Sequence, residues 1–304
     1  MNKLYDLFYK DNCYSIGIRK RVDQDGLLLE DNYTPFLVFP TSADKWYADP
    51  IILSWEGKDY LFCEIYDRKK DIGYIGVTHL DSVTPNFPEK VLDIGTHLSY
   101  PCVFSVGQEV YMIPETTTKK SIELYKAIEF PYKWEYVTQI TSGKEYADST
   151  YYSDDTKRLL LTFEQYQEDG SITKVHVYDA SKIIEGELFD YPSMDFEFSN
   201  QSRGGGKLFE YAGKILRPAQ VCTKEYGYAL NFMEVSFEND SYCEKLLNTV
   251  YPEKIKSNLN KKIIGIHTYA LTQDYEIIDV KFDDPRLRYQ IRRVFRYICR
   301  KLKK

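Results

Sequence analysis

Short apolar runs separated by polar turns recur along this chain, and their spacing repeats. The clearest unit is YADPIILSWEGKDYLFCE (47–64): an apolar run, the turn-type residues Glu56-Gly57-Lys58-Asp59, and an alternating run that closes on an acid. That pattern predicts a β-hairpin whose first and last residues lie side by side, which sets Asp49 and Glu64 at one open end. Related units follow at SYPCVFSVGQEVYMIPE (99–115), YADSTYYSDDTKRLLLTFE (146–164), SRGGGKLFEYAGKILRPAQ (202–220) and, more weakly, IGIHTYALTQDYEIIDVK (264–281). Between them lie strand-like pieces such as GYIGVTHL, IELYKAI, KVHVYDA and ALNFMEVSF.

A period of about 50 residues with about four strands per unit is the signature of a propeller blade. The expected fold class is all-β: a five-bladed β-propeller over 40–282, with a C-terminal basic amphipathic helix over 283–304. The segment 1–39 would close the last blade, with YSIGIRKRV (14–22) as an outer strand. The first strand of each blade lines the tunnel in such a fold, so Asp49, Tyr100, Asp148, Arg203 and His267 should gather at one mouth. Glu64, Glu115, Glu164 and Gln220 should stand beside them. Crowded acids cost stability, and such a ring is usually kept for a function.

Composition sets limits on that function. The 304 residues are 43% hydrophobic and 28% charged, as expected of a globular protein with a full core. The 28 tyrosines suit strands and sugar-stacking surfaces alike. Six cysteines without a C-x-x-C pair suggest neither a zinc site nor a disulfide framework, and they point to a reducing cytosol. No metal or cofactor is expected, since Rossmann, Walker and H-E-x-x-H patterns are absent. Net charge is −6, yet residues 285–304 carry nine Lys or Arg and no acid, which leaves −15 on the preceding 284. An acidic body argues against nucleic acid as a partner. In the tail, Leu287, Ile291, Val294, Phe295, Ile298 and Leu302 share one face of a helix amid basic residues, which points to an anionic membrane surface. The expected location is cytoplasmic, peripheral at the inner face of the membrane.

Paired carboxylates around a pit are the equipment of glycosyl chemistry, one as acid or base and another activating a nucleophile or stabilising positive charge. The candidate catalytic set is Asp49, Asp148, Glu64, Glu115 and Glu164. The candidate substrate-binding set is Tyr100, Arg203, Arg217, Gln220 and His267. Arg203 and Arg217 fit either a clamp on phosphate or carboxylate or a neutralising role among the acids. His267 fits a general acid/base, a tunnel metal ligand or a satisfied core histidine. The run Gly204-Gly205-Gly206 suggests backbone close to a ligand or to the tunnel axis.

W-x-A-D-P with Y-L-F-x-E, S-Y-P-x-V-F with M-I-P-E, D-S-T, R-G-G-G-x-L-F and R-P-A-Q together resemble the N-terminal propeller domain of glucosamine inositolphosphorylceramide transferases. That domain is similar in fold to glycoside hydrolase family 43. The resemblance implies a base-like role for Asp49, with Asp148 and one of Glu64, Glu115 or Glu164 as partners. In the plant transferases a separate glycosyltransferase domain follows; here only the basic tail does, leaving a catalytic propeller or an accessory one. The function expected is a glycosyltransferase acting on an activated sugar (a nucleotide sugar among the candidates) or a lipid-linked glycan acceptor in surface polysaccharide synthesis. A family-43-like hydrolase and a non-catalytic glycan-binding propeller are the alternatives.

Overall fold

The computed structural model describes residues 11–21, 27–30, 34–84, 86–116, 119–167, 171–287, 289–291 and 294–295. Five antiparallel sheets stand around one axis, each with its first strand innermost. Blade 1 is Lys45–Trp55, Lys58–Asp67, Ile72–His79 and Glu89–Leu92; blade 2 is Ser99–Val106, Glu109–Glu115, Ser121–Glu129 and Lys133–Ser142. Blade 3 is Tyr146–Ser153, Arg158–Gln165, Thr173–Asp179 and Phe189–Asp190. Blade 4 is Arg203–Gly204 with Phe209–Tyr211, then Lys214–Val221, Ala229–Glu238 and Ser241–Val250. Blade 5 takes Tyr269–Leu271 and Tyr275–Asp283 from one end of the chain and Asn12–Lys20 and Leu37–Val38 from the other. Asn12–Lys20 is therefore the third strand, and the two-residue Leu37–Val38 pair is the outermost.

Two-residue turns join the first two strands of several blades. Glu56 and Gly57 both have positive φ, 50° and 74°. That is the mirror-image turn whose twist matches the flanking strands, and only its second position is a glycine. Each main apolar cluster sits between two neighbouring blades, not inside one. Tyr60 and Phe62 of blade 1 meet Val103 and Met112 of blade 2. Leu230 and Phe232 of blade 4 meet Ile278 and Val280 of blade 5. Strands near the axis are thus buried on both faces, which is why residues 50–53 and 159–161 read as unbroken apolar runs and not as alternation. The seam between the chain's two ends is held the same way, by Ile16, Ile18 and Ile277 against Tyr47, Leu61 and Ile65.

The glycine run lies against the tunnel axis. A Cβ on Gly204 would stand 2.6 Å from Asp148 Cβ, and one on Gly206 would stand 2.1 Å from the Tyr269 carbonyl. Of the helix expected over 283–304, residue 283 ends the last strand and 284–286 are not helical, residues 287, 289–291 and 294–295 have helical backbone, and the rest lie outside the described residues. Among the described residues no helix is long and apolar enough to cross a membrane.

Candidate functional site

Three inner strands carry the same bulge. Register slips between Ala48 and Ile51, between Ser99 and Cys102, and between Ala147 and Thr150. The residue in each bulge, Asp49, Tyr100 or Asp148, is left-handed, with φ of 52°, 39° and 47°. Non-glycine residues adopt this conformation at a cost of order 1–3 kcal/mol each, so something must hold them there. What holds them is a carboxylate. Asp49 N–H donates to Asp279 Oδ2 of blade 5 at 3.0 Å, and Tyr100 N–H to Asp49 Oδ2 of blade 1 at 3.1 Å. Asp148 N–H donates to Glu115 Oε2 of blade 2 at 3.0 Å. Each bulge turns its N–H toward the preceding blade, and the acids act as struts between blades.

The remaining bonds close the cluster. Arg203 Nε donates to Asp148 Oδ2 at 2.5 Å, its other nitrogens reach Gln165 Oε1 and Glu115 Oε2, and Tyr226 stacks on the guanidinium. Gln220 Nε2 donates to Asp148 Oδ2 at 3.2 Å and to the Gly204 carbonyl at 2.5 Å. Tyr100 is fully buried and spans the tunnel, its hydroxyl accepting from Gly206 N–H and meeting Thr150 Oγ1. His267 lies against Tyr14, with Nδ1 2.6 Å from Asp279 Oδ2 and Nε2 3.8 Å from Asp49 Oδ1. Burial works against the imidazolium, but the Asp279 and Asp49 carboxylates outweigh it and raise the His267 pKa.

Ligand atoms of Asp49, His267 and Asp279 lie within 4.8 Å of one another, the spacing a cation would need. The Asp279 carboxylate, however, already accepts from Asp49 N–H, His267 N–H, Thr268 N–H and the His267 ring. Four donors use its lone pairs, so the trio is a satisfied hydrogen-bonded cluster.

Glu64 differs from the other acids. It is buried, and its Oε1 accepts no hydrogen bond. His97 Nε2 stands 3.5 Å from it, while His97 Nδ1 accepts Gly73 N–H at 2.8 Å. That bond assigns the proton of neutral His97 to Nε2, facing Glu64. Burial pushes the Glu64 carboxyl well above its ordinary range, and Asp49, Glu115 and Asp279 add to the effect. Burial also raises Asp49, with His267 opposing, and raises Asp148 well above the usual range against the pull of Arg203.

Asp49, Glu64, Tyr100, Glu115, Asp148, Arg203, Gln220 and His267 thus come together at the tunnel. Glu164 and Arg217 do not join them. In blades 1 and 2 the residue opposite the small residue before the bulge is Glu64 or Glu115, but in blade 3 it is Phe163. Glu164 is one position further along and so faces the other side of the sheet. There it bonds to Lys144 and His176, which with Tyr166 hold its carboxyl low despite partial burial. Arg217 is buried and bonded through two nitrogens to Glu244, with a third on the Ser202 carbonyl. Sequence reasoning missed His97, Tyr226, Thr268 and Asp279. Asp279 had a signal: it is the acid near the end of the fifth hairpin, matching Glu64 and Glu115.

The family described as glucosamine inositolphosphorylceramide transferase 1, N-terminal, matches residues 39–271. The chain belongs to this family. Glucosamine inositolphosphorylceramide transferase 1 of Oryza sativa subsp. japonica is 30% identical over 72% of the chain, and that of Arabidopsis thaliana is 27% identical over 63%. The chain spans about a third or less of these relatives, 30% and 26% of their lengths. The chain shares its fold with solved glycosidases. The catalytic domain of a Coprinopsis cinerea GH62 α-L-arabinofuranosidase superposes with a TM-score of 0.52 at 10% identity, covering 91% of this chain and 98% of that one. A Xanthomonas citri GH43_1 enzyme complexed with xylose gives 0.52 at 11% identity, covering 79% and 88%.

Proposed function

We propose that this propeller is a carbohydrate-active unit of glycosyltransferase type, acting on an activated sugar or a lipid-linked glycan in the synthesis of a surface glycoconjugate. The plant relatives, glucosamine inositolphosphorylceramide transferases by name, support a transferase on a glycolipid, and the tail supports a peripheral position on an anionic membrane at its cytoplasmic face. The observation that carries the chemistry is the neighbouring pair Asp49 and Glu64. Both are buried acids whose pKa values burial raises, and Glu64 retains an oxygen that no protein donor satisfies. A protonated Glu64 suits delivery of a proton to a leaving oxygen. Asp49, partly offset by His267, suits the base or the stabilising charge.

Arg203 and Arg217 are both committed to carboxylates, so a donor phosphate would have to break an ion pair to use either. That weakens their part in recognising a nucleotide. The test is turnover of sugar donors and aryl glycosides by the wild type, Asp49→Asn and Glu64→Gln, with thermal stability measured in parallel. Loss of turnover in both variants without loss of fold supports the reading. Wild-type turnover that survives both substitutions refutes the catalytic assignment. The second reading, an accessory glycan-binding propeller, is favoured by the near-complete burial of Asp148 and Arg203 in mutual contacts. Binding without turnover would select it.

A further inference from the structure

The first turns of the tail are fixed to one particular end of the propeller. Asp44 directly precedes the inner strand of blade 1 and Arg68 directly follows its neighbour, so both stand at the hairpin's open end, the end that carries Asp49 and Glu64. Tyr289 of the tail is buried there. Its hydroxyl donates to Asp44 Oδ1 at 2.5 Å, and its ring lies 4.4 Å from the Arg68 guanidinium carbon. Gln290 is buried beside it. The same Arg68 bonds Asp11 and Asp284, which ties both ends of the described chain to this rim. Leu287, Ile291 and Phe295, four residues apart, face away from the body and are 69%, 57% and 67% exposed.

We propose that this stripe enters an anionic bilayer and holds the acid-lined mouth of the tunnel toward the lipid surface. The inference goes beyond the glycan-processing reading above, which sets no orientation, and rests on it only for the pit being the site. Charge complementarity identifies the occupant: the sequence of 285–304 holds nine Lys or Arg and no acid, and its described start lies at a rim that also exposes Lys69 and Lys70. An acidic pit alone would be repelled by anionic lipid. A segment of that charge starting from the same rim would offset the repulsion, an effect that fades within a Debye length, about 8–10 Å. The opposite mouth, formed by the hairpin turns at Glu56-Gly57 and Asp154–Thr156, would face the aqueous phase.

Full-length protein would be tested by flotation with phosphatidylcholine vesicles with and without phosphatidylserine. The wild type should bind only the anionic vesicles, and less at high salt. The triple variant Leu287→Glu/Ile291→Glu/Phe295→Glu should lose at least roughly tenfold in partitioning while melting like the wild type, because the replaced side chains are exposed. Orientation is read with a fluorophore on Lys70→Cys at the pit rim or Asp155→Cys at the opposite mouth, after Cys243→Ser and Cys299→Ser. Headgroup-nitroxide lipids should quench the first label severalfold more than the second. Failure of the wild type to bind anionic vesicles, equal or reversed quenching, or undiminished binding by the triple variant would each overturn the proposal. None of these readouts needs sugar turnover. A catalytically inert protein that binds pit-side down refutes the chemistry and keeps the orientation.

Discussion

Replacing Arg203 with methionine isolates what the buried cation does for the acid cluster. Arg203 is 6% exposed and is paired with the side chains of Asp148 and Glu115, themselves 3% and 9% exposed. Methionine fills much of the same volume but leaves two buried carboxylates facing each other without a counter-charge. Breaking a buried pair in this way costs roughly 3–5 kcal/mol. With an unfolding entropy of about 2.1 cal/mol/K per residue, a chain of 304 residues loses about 1.6 °C per kcal/mol, so the melting point should fall by about 5–8 °C. The loss must depend on pH. Burial and Glu115 already raise Asp148 above its ordinary value, and removing Arg203 raises it further. The folded variant then binds protons that the unfolded chain has released, so its deficit is small near the ordinary carboxylate pKa of about 4 and widens as pH rises. Scanning fluorimetry at about pH 5 and about pH 8 reads this directly, with Arg203→Met/Asp148→Asn recovering part of the loss at the higher pH. A deficit identical at both pH values would show that Arg203 acts through packing alone, and no deficit would refute the argument.

Glu64→Gln should move stability the other way: wild-type stability declines as pH climbs from the ordinary carboxylate value toward the raised folded one, so the glutamine variant should melt higher at neutral pH, by about 2–5 °C for 1–3 kcal/mol, and converge with the wild type in acid. A lower melting point at neutral pH would show that the charged form is satisfied. Gly206→Ala should destabilise the inner strand of blade 4 severely, because the added carbon meets the Tyr269 carbonyl at 2.1 Å and φ there is 137°; wild-type melting behaviour would contradict the close approach. Lys207 lines a cavity of about 490 Å³ at the opposite mouth, and among the described residues its ammonium bonds only the Val103 and Ile52 carbonyls while burial lowers its pKa. Lys207→Met should therefore hold or raise the melting point at neutral pH, and a loss of several degrees would mean the ammonium is better compensated than these contacts indicate.

The blade repeat was readable because hairpins between two packed sheets impose apolar runs, a two-residue turn and a fixed return length. The bulges were not readable as bulges, since neither Ala-Asp-Pro nor Ser-Tyr-Pro announces a left-handed residue; only the N–H to carboxylate bond across blades explains why that conformation is kept. Register explains the fate of Glu164. The interval from Asp49 to Glu64 and from Tyr100 to Glu115 is fifteen residues, whereas from Asp148 it reaches Phe163. The single-residue difference was present in the sequence, and with a period of two it is enough to turn a side chain to the other face. The partners of Arg217 had no such signal, because Glu244 lies two strands away and pairs with it only through the sheet.

The acid cluster then has two explanations that act on different residues. Asp279, Glu115 and Asp49 each accept a bulge N–H from the next blade, so a propeller with no chemistry at all would still keep them, and their presence alone says little about catalysis. Glu64 occupies the corresponding position between blades 1 and 2, but there the strut is Asp49, which reaches Tyr100 directly. Glu64 is left without that structural task, yet it is buried, raised in pKa and faced by the Nε2–H of a histidine whose tautomer is fixed by Gly73. A fold selected for stability alone would be better served by an apolar side chain at this position. For that reason the functional reading of the cluster depends on Glu64 more than on the more numerous acids around it, and the combination of stability gained with turnover lost on Glu64→Gln is the outcome that separates a working site from a hub of struts.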